Sequence, residues 1–325
     1  MKGRKTRQLK IVFFGLGSIG KKHAKIIRDN YNFELFAYRT NRGQEKNTLN
    51  IPEYTNLEEI FALKPDIAFI TNPTFLHTDT ALECTKRNIS LFIEKPISHN
   101  LKNTEELEKE IKKRNLFSYV AYNMRFHPVI TQLKKILSEE KQNINFNVVC
   151  RSYLPDWRPK QDYTKSYSAI KEMGGGVLLD LSHEFDYINW LFGDIQKIDG
   201  ECGKKSSLNV DTEDFVDAKI TCKHNIKGNL HLDFFTKEKE RKIKIFLDNK
   251  TFEGDLINNT IKIIENGKEK TIKTDKTTED TYKMQIDYFF RQYLNKEYNN
   301  MNNFSEALIT FKKIMDFKEK HCQKQ

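Results

Sequence analysis

No stretch of the chain approaches the roughly 20 consecutive apolar residues that a membrane-spanning helix needs. Nor does it begin like an exported protein. Met1 to Gln8 are basic, but the apolar run behind them belongs to a strand that ends in glycines rather than to a signal-peptide core, so a cytoplasmic location is expected. Cysteine is scarce and unpatterned. The five (Cys84, Cys150, Cys202, Cys222 and Cys322) are odd in number, scattered, and include no C-x-x-C pair, which predicts reduced thiols. His, Cys and carboxylate clusters with ligand spacing are missing, so no metal site is expected. Internal repeats are missing too, and only the tail from Lys318 to Gln325 reads as loosely ordered. The net charge is +10, yet the lysines run along the whole chain and no basic helix carries interleaved aromatics. A solvated lysine-rich surface is the first reading, attraction of anionic substrates the second, and no nucleic-acid partner is expected.

What is present begins with a glycine pattern. At 325 residues the chain is long enough for two domains. Residues 9–14 form a short apolar run of β-branched and aromatic types, read as a buried strand, and Gly15, Gly17 and Gly20 follow as G-x-G-x-x-G. Ile19, His23, Ile26 and Ile27 then recur at helical spacing. In that strand–turn–helix context, Gly15 permits a tight turn, Gly17 lets the backbone approach a pyrophosphate, and Gly20 lets the helix pack on the strand. Ser18 and Ile19 lie at the same helix start. The alternative is a glycine-rich turn without a ligand.

A second strand, Phe33–Tyr38, ends in Arg39-Thr40-Asn41-Arg42, with no carboxylate before Glu45. NAD-preferring folds place an acidic residue here for the ribose 2′-hydroxyl, whereas Arg39 and Thr40 suit a 2′-phosphate. NADP is therefore expected to be preferred, with NAD as the second cofactor; the alternative is that Arg39 is an ordinary surface arginine. Further strands at Asp66–Thr71, Ile89–Ile93 and Phe117–Ala121 alternate with helices near 75–87 and 104–114, the pattern of a parallel doubly wound sheet. Asn72, Pro73 and His77 fall near a strand's carboxyl end, where ligands bind in such sheets. Glu94-Lys95-Pro96 closes the fourth of these strands, and Lys95 is either functional or simply paired with Glu94.

Beyond Tyr122-Asn-Met-Arg-Phe-His-Pro128 and a helix to about Ser138 the pattern changes. Strand-like segments from Ile195 to Lys273, without long intervening helices, read as a largely antiparallel sheet, and two amphipathic helices near 280–295 and 304–320 end the chain. Ahead of that sheet a single helix is expected from Gly174-Gly-Gly to about Phe192, with Asp180, His183, Glu184 and Tyr187 on one face. Asp180 and His183 there form either a proton-handling pair or an ordinary surface pair.

Taken together, G-x-G-x-x-G, Glu-Lys-Pro at a strand end, Asn-x-Arg-Phe-x-Pro and a Gly-Gly-Gly-x-Leu-x-Asp helix bearing His resemble the Gfo/Idh/MocA family over nearly the full length. The resemblance implies an α/β fold: an N-terminal Rossmann domain (residues 1–122) and a C-terminal α/β domain (123–325) with an open-faced, mostly antiparallel sheet. It implies NAD(P)-dependent oxidation or reduction of a sugar or cyclitol. Lys95 then matches the lysine that hydrogen-bonds the reacting oxygen and helps steer the nicotinamide, His183 the general acid/base, Asp180 its helix partner, and Asn123 and Arg125 the floor of the site. Many members space the Asp and His by four, whereas here the spacing is three. The Tyr153-Leu-Pro-Asp-Trp157-Arg158-Pro loop is similar to a subgroup associated with bacterial surface carbohydrates. Arg158 suits a substrate carboxylate or phosphate and Tyr153 or Trp157 a sugar ring, unless Trp157 and Arg158 bridge protomers. Some relatives use the cofactor transiently, in glycoside cleavage or epimerisation, and a non-catalytic dinucleotide-binding protein is the remaining reading. An exposed sheet face needs a cover, so a homodimer or homotetramer through that sheet is expected.

Overall fold

The computed structural model describes residues 8–40, 47–139 and 143–322; Arg42, Glu45, the basic start up to Arg7 and the last residues of the tail lie outside them. The chain divides into two compact units, one running up to Ala121 and including Gln285–Glu306, the other comprising Tyr122–Met284 and the chain from Ala307 on. The segment Gln285–Glu306, expected in the second domain, belongs with the first.

In the first unit, strands β1 (Lys10–Phe14), β2 (Glu34–Tyr38), β3 (Glu53–Tyr54), β4 (Ile67–Ile70), β5 (Ser90–Ile93) and β6 (Ser118–Val120) form one parallel sheet in the order β3-β2-β1-β4-β5-β6. Helices α1 (Ser18–Asn30), α2 (Leu57–Ala62), α3 (His77–Lys86) and α4 (Thr104–Lys113) make its connections. Every residue of β4, β5 and β6 is buried, as strands covered on both faces require. Strand β3 and helix α2 were not anticipated. The strand is only two residues long and exists through its pairing with Ala37 and Tyr38; the helix starts where the Asn56 side chain accepts the Glu58 amide at 2.9 Å.

Aromatic rings fill the space between sheet and helix. Phe69 stacks on Phe92 at 4.3 Å between centroids, and Phe289, from helix α8 (Asp280–Leu294), meets Phe92 and Phe117 edge-on at 5.2 and 5.4 Å. Burial of these rings draws the segment from Gln285 into the first unit, a long-range fact that an amphipathic pattern does not encode.

The second unit holds α5 (Pro128–Leu137), β7 (Asn145–Arg151), α6 (Val177–Asp180), α7 (Ser182–Phe192), β8 (Ile195–Gly203), β9 (Phe215–Cys222), β10 (Lys227–Asp233), β11 (Glu240–Phe246), β12 (Lys250–Asp255), β13 (Thr260–Glu265) and β14 (Lys268–Lys273), and most of α9 (Phe304–His321). The strands form one sheet, β14-β13-β12-β11-β7-β10-β9-β8, antiparallel except for the β7–β10 pair. Along β9, Val216, Ala218, Ile220 and Cys222 are buried while Asp217 and Lys219 face out. Phe146 stacks on Phe192 of α7 at 4.4 Å on the covered side. The opposite side is polar, with Arg151 bonded to Glu240 at 2.7 Å.

Three expectations are corrected here. The single helix from 174 to 192 is two, broken at Leu181 (φ −97°, ψ 27°). The tail is helical as far as His321. Cys202 and Cys322 form a disulfide across 120 residues of sequence, so only Cys84, Cys150 and Cys222 remain free thiols. Spacing along the chain gave no hint of that pair, because the last turn of α9 reaches β8 through the tertiary fold alone.

On the polar face, His231 lies 3.0 Å from Asp233 and 2.6 Å from Asp217. Its hydrogen bond to Asp233 raises the imidazole above its ordinary value; burial opposes this, and the bond to Asp217 adds to the rise. A histidine raised in the folded state stabilises fully below its unfolded value near pH 6.5, and that contribution is lost as pH rises through the raised value. Thermal melting of His231→Gln should therefore fall furthest below the parent under about pH 6.5 and converge on it in alkali. A pH-independent difference contradicts this assignment.

Candidate active site

The sheet reverses its order between β1 and β4, and ligands of open α/β sheets bind beyond the strand ends at such a point. Phe14 pairs with Tyr38 and with Ile70, and Ile70 with Ile93, so Gly15, Arg39, Thr71 and Glu94 leave the sheet in one row. Gly15 has φ +98°, and a Cβ there would sit 3.0 Å from the Asn72 backbone. At Gly20 a Cβ would lie 2.4 Å from the Gly15 carbonyl oxygen and 2.9 Å from Thr71 Oγ1, which itself donates to that oxygen at 2.7 Å. Gly17 is different, because a Cβ there would meet nothing within 4 Å. It is the N-cap of α1, no side chain caps that helix, and its first turn carries no acid. Exposed Ser18 and half-buried Ile19 follow. Free amides, a positive helix end and vacant space beside Gly17 fit a pyrophosphate.

At the other strand ends, Glu94 is buried and bonded to His23 of α1 at 2.6 Å, and its second oxygen accepts the Lys95 amide at 3.1 Å. Lys95 is half-buried and precedes a cis peptide to Pro96. Glu94 thus joins His23 of α1 to the backbone of Lys95. His77 is 2% exposed, with Nδ1 2.8 Å from the Pro96 carbonyl and Nε2 2.9 Å from that of Asn72. Burial lowers its basicity, and a neutral ring donates to one of these carbonyls; the residue stitches the β4 and β5 exits together. Asn72 donates to Thr80 Oγ1 at 2.8 Å, and Pro73 is exposed. Arg39 is bonded to Glu53 of β3 at 2.7 Å, while Thr40 is exposed. Glu53 lies 14 residues beyond Arg39, outside the window in which an acidic residue was sought, and only the β2–β3 pairing delivers it.

In the second unit, Asn123 is buried and donates to Thr281 Oγ1 at 2.6 Å. Arg125 is 1% exposed and forks onto Asp186 of α7, Nε to Oδ2 at 2.9 Å and Nη2 to Oδ1 at 2.8 Å. The guanidinium thereby holds its segment to α7. Asp180, at the end of α6, is 4% exposed and accepts the hydroxyl of Tyr167, whose phenol is pushed up by the Asp180 charge and then by burial. The Arg158 guanidinium lies 5.8 Å from the Tyr167 ring. His183, in the first turn of α7, is half-buried with its ring edge-on to Tyr122 at 5.7 Å. Trp157 is 39% exposed, donates to Ser152 Oγ at 2.8 Å and meets Phe234 edge-on at 5.2 Å; Tyr153 has the Lys237 ammonium 5.7 Å from its ring. Tyr167 and His23 were missed as partners, since each acts on a group far along the chain.

The sheet order and the glycine cradle define a dinucleotide-binding Rossmann domain. The chain belongs to the Gfo/Idh/MocA oxidoreductase family: residues 9–122 match its NAD-binding Rossmann fold and residues 145–253 its C-terminal domain. Among curated relatives, a myo-inositol 2-dehydrogenase of Thermotoga maritima is 28% identical over 194 residues, which are 57% of this chain and 55% of that protein. Matches to such relatives thus span about half their length. Two solved structures share the fold. A UDP-N-acetylglucosamine 3-dehydrogenase from Acidithiobacillus ferrooxidans has a TM-score of 0.77 at 17% identity, covering 97% of each chain. A levoglucosan dehydrogenase in complex with NADH has a TM-score of 0.80 at 15% identity, covering 95% of this chain and 96% of that one.

The two glycines make opposite predictions. Gly17→Val should leave melting nearly unchanged yet weaken NADH binding more than tenfold, on the order of one lost phosphate contact or more. Gly20→Ala should lower the melting temperature, because its methyl meets the Gly15 carbonyl. Calorimetry and NADH titration read both.

Proposed function

We propose that the chain transfers a hydride between NADP(H), or second NAD(H), and a hydroxyl or carbonyl of a sugar, sugar derivative or cyclitol. The reading is carried by one observation: a lysine leaves the sheet next to Glu94, in the row of strand ends that holds the unobstructed Gly17 cradle. The amides at the start of α1 would hold the pyrophosphate, and the bound dinucleotide would supply a two-electron acceptor or donor. Lys95 donates a charged hydrogen bond to the oxygen on which negative charge develops. His183 takes the hydroxyl proton in oxidation and returns it in reduction. Asp180, held by Tyr167, orients that machinery. Tyr153, Trp157 and Arg158 receive the sugar, with Arg158 suited to a carboxylate or phosphate on it. This suits the surface-carbohydrate chemistry of the resembling subgroup, carried out in the cytoplasm. A second copy of the chain is the proposed cover for the open sheet face.

Arg39 and Thr40 support the preference for NADP(H). Glu53 offsets part of the Arg39 charge, so the preference is set by competition between that carboxylate and a 2′-phosphate. NADPH should bind more tightly than NADH in a fluorescence titration, and Glu53→Gln should widen the gap; tighter NADH binding by the parent refutes the preference. Lys95→Ala should cut sugar turnover by orders of magnitude, and His183→Ala by roughly 10²–10⁴-fold, with NADPH binding nearly intact. Unimpaired turnover in either variant removes that residue from the mechanism.

A further inference from the structure

Helix α6 is a single turn, and what fixes its start is a buried carboxylate from elsewhere in the second unit. The Val177 amide donates to the Glu213 backbone carbonyl at 3.1 Å, and the Leu178 amide donates to the Glu213 carboxylate. Gly176 has φ +110°, and a Cβ there would fall 2.2 Å from Glu213 Oε1, so the carboxylate occupies the space any side chain would take. Lys318, near the end of α9, donates to the same oxygen at 3.1 Å, with the two side chains 18% and 6% exposed. Cys322, one turn further on, is tied to Cys202 of β8. The amide of Asp214, next to Glu213, returns to the Gly203 carbonyl at 2.9 Å.

We propose that Glu213 and Lys318 are positioning residues: together they hold the start of α6, so that Asp180 at its end stays in one place. The last helix of the chain is thereby part of the catalytic apparatus although it carries no reacting group. Burial explains why both partners are needed. A carboxylate this enclosed is tolerated because an ammonium and an amide share its charge, and removing one member of a buried pair harms more than removing both. The role rests on the reading that Asp180 serves the reaction, and the test separates the two.

The test uses the full chain as parent, Lys318→Met, Glu213→Gln, the double variant and Lys318→Arg. Hydrogen exchange of the peptide over residues 177–183 is measured, together with melting, NADPH binding, and turnover on a panel of myo-inositol, levoglucosan and UDP-N-acetylglucosamine. Lys318→Met should speed exchange at 177–180 about tenfold, as expected for loss of local stability. It should lower kcat about tenfold, as a small misplacement does, without changing KM or NADPH affinity. The double variant should lie closer to the parent than Lys318→Met does, and Lys318→Arg should behave as the parent. Unchanged exchange at 177–180 in Lys318→Met overturns the clamp, as does faster exchange there with unchanged kcat. If the parent turns over none of the panel, the activity reading loses its support while the exchange result still decides the clamp.

Discussion

The 2.6 Å contact between His23 and Glu94 is the constraint on which the first unit's site depends. His23 lies in the second turn of the helix whose start forms the glycine cradle, and Glu94 immediately precedes Lys95. One buried bond therefore ties the element that would receive phosphates to the turn that presents the ammonium. The His23 ring is wholly enclosed and Glu94 nearly so, so slackening the pair would leave the imidazole unsatisfied in the core. Around it the close approaches follow: Gly20 against the Gly15 carbonyl, Thr71 bridging β4 to the same oxygen, and His77 joining the two neighbouring strand exits. Such a site is built on strand ends rather than on long loops, and its parts are positioned by one another.

The second unit uses the same device with charged pairs. Helix α7, which carries His183, is gripped by two arginines: Arg125 on Asp186 and Arg241 on Glu184 at 2.7 Å. Both carboxylates are essentially inaccessible. Buried pairs of this kind add little net stability, since the cost of removing both charges from water is large. Their geometric demand is strict, however, above all for the two-bond fork of Arg125 on Asp186. Together with the Glu213–Lys318 pair they put the two short helices of the site under polar rather than merely apolar control.

How far these features were legible in the sequence follows from their range. Strands β1, β4 and β5 were readable because each is a continuous apolar run bounded by turn residues, and the glycine cradle because its steric demands act within six residues. Strand β3 was not, since two residues carry no periodicity and are extended only through their neighbours. The helical pattern through 177–192 concealed the break at Leu181, because residues on either side keep an apolar stripe. Site residues divide the same way. Motif order singled out the candidates, but it did not show their partners: Glu53 for Arg39, His23 for Glu94, Asp186 for Arg125, Tyr167 for Asp180. Each pairing joins distant parts of the chain, and a single sequence records no such distance.

The interleaving of the two units bears on how the chain is made. The six strands of the first unit are complete by Val120, yet the ring that meets both Phe92 and Phe117 edge-on arrives only with Phe289, in the segment returning at Gln285–Glu306. At roughly 5–20 residues per second, a ribosome takes on the order of ten to forty seconds to cover that interval. Throughout it the emerging sheet presents an uncovered aromatic surface, while the whole of the second unit's sheet is being synthesised. The dinucleotide domain, first in sequence, is thus among the last parts of the molecule to be finished.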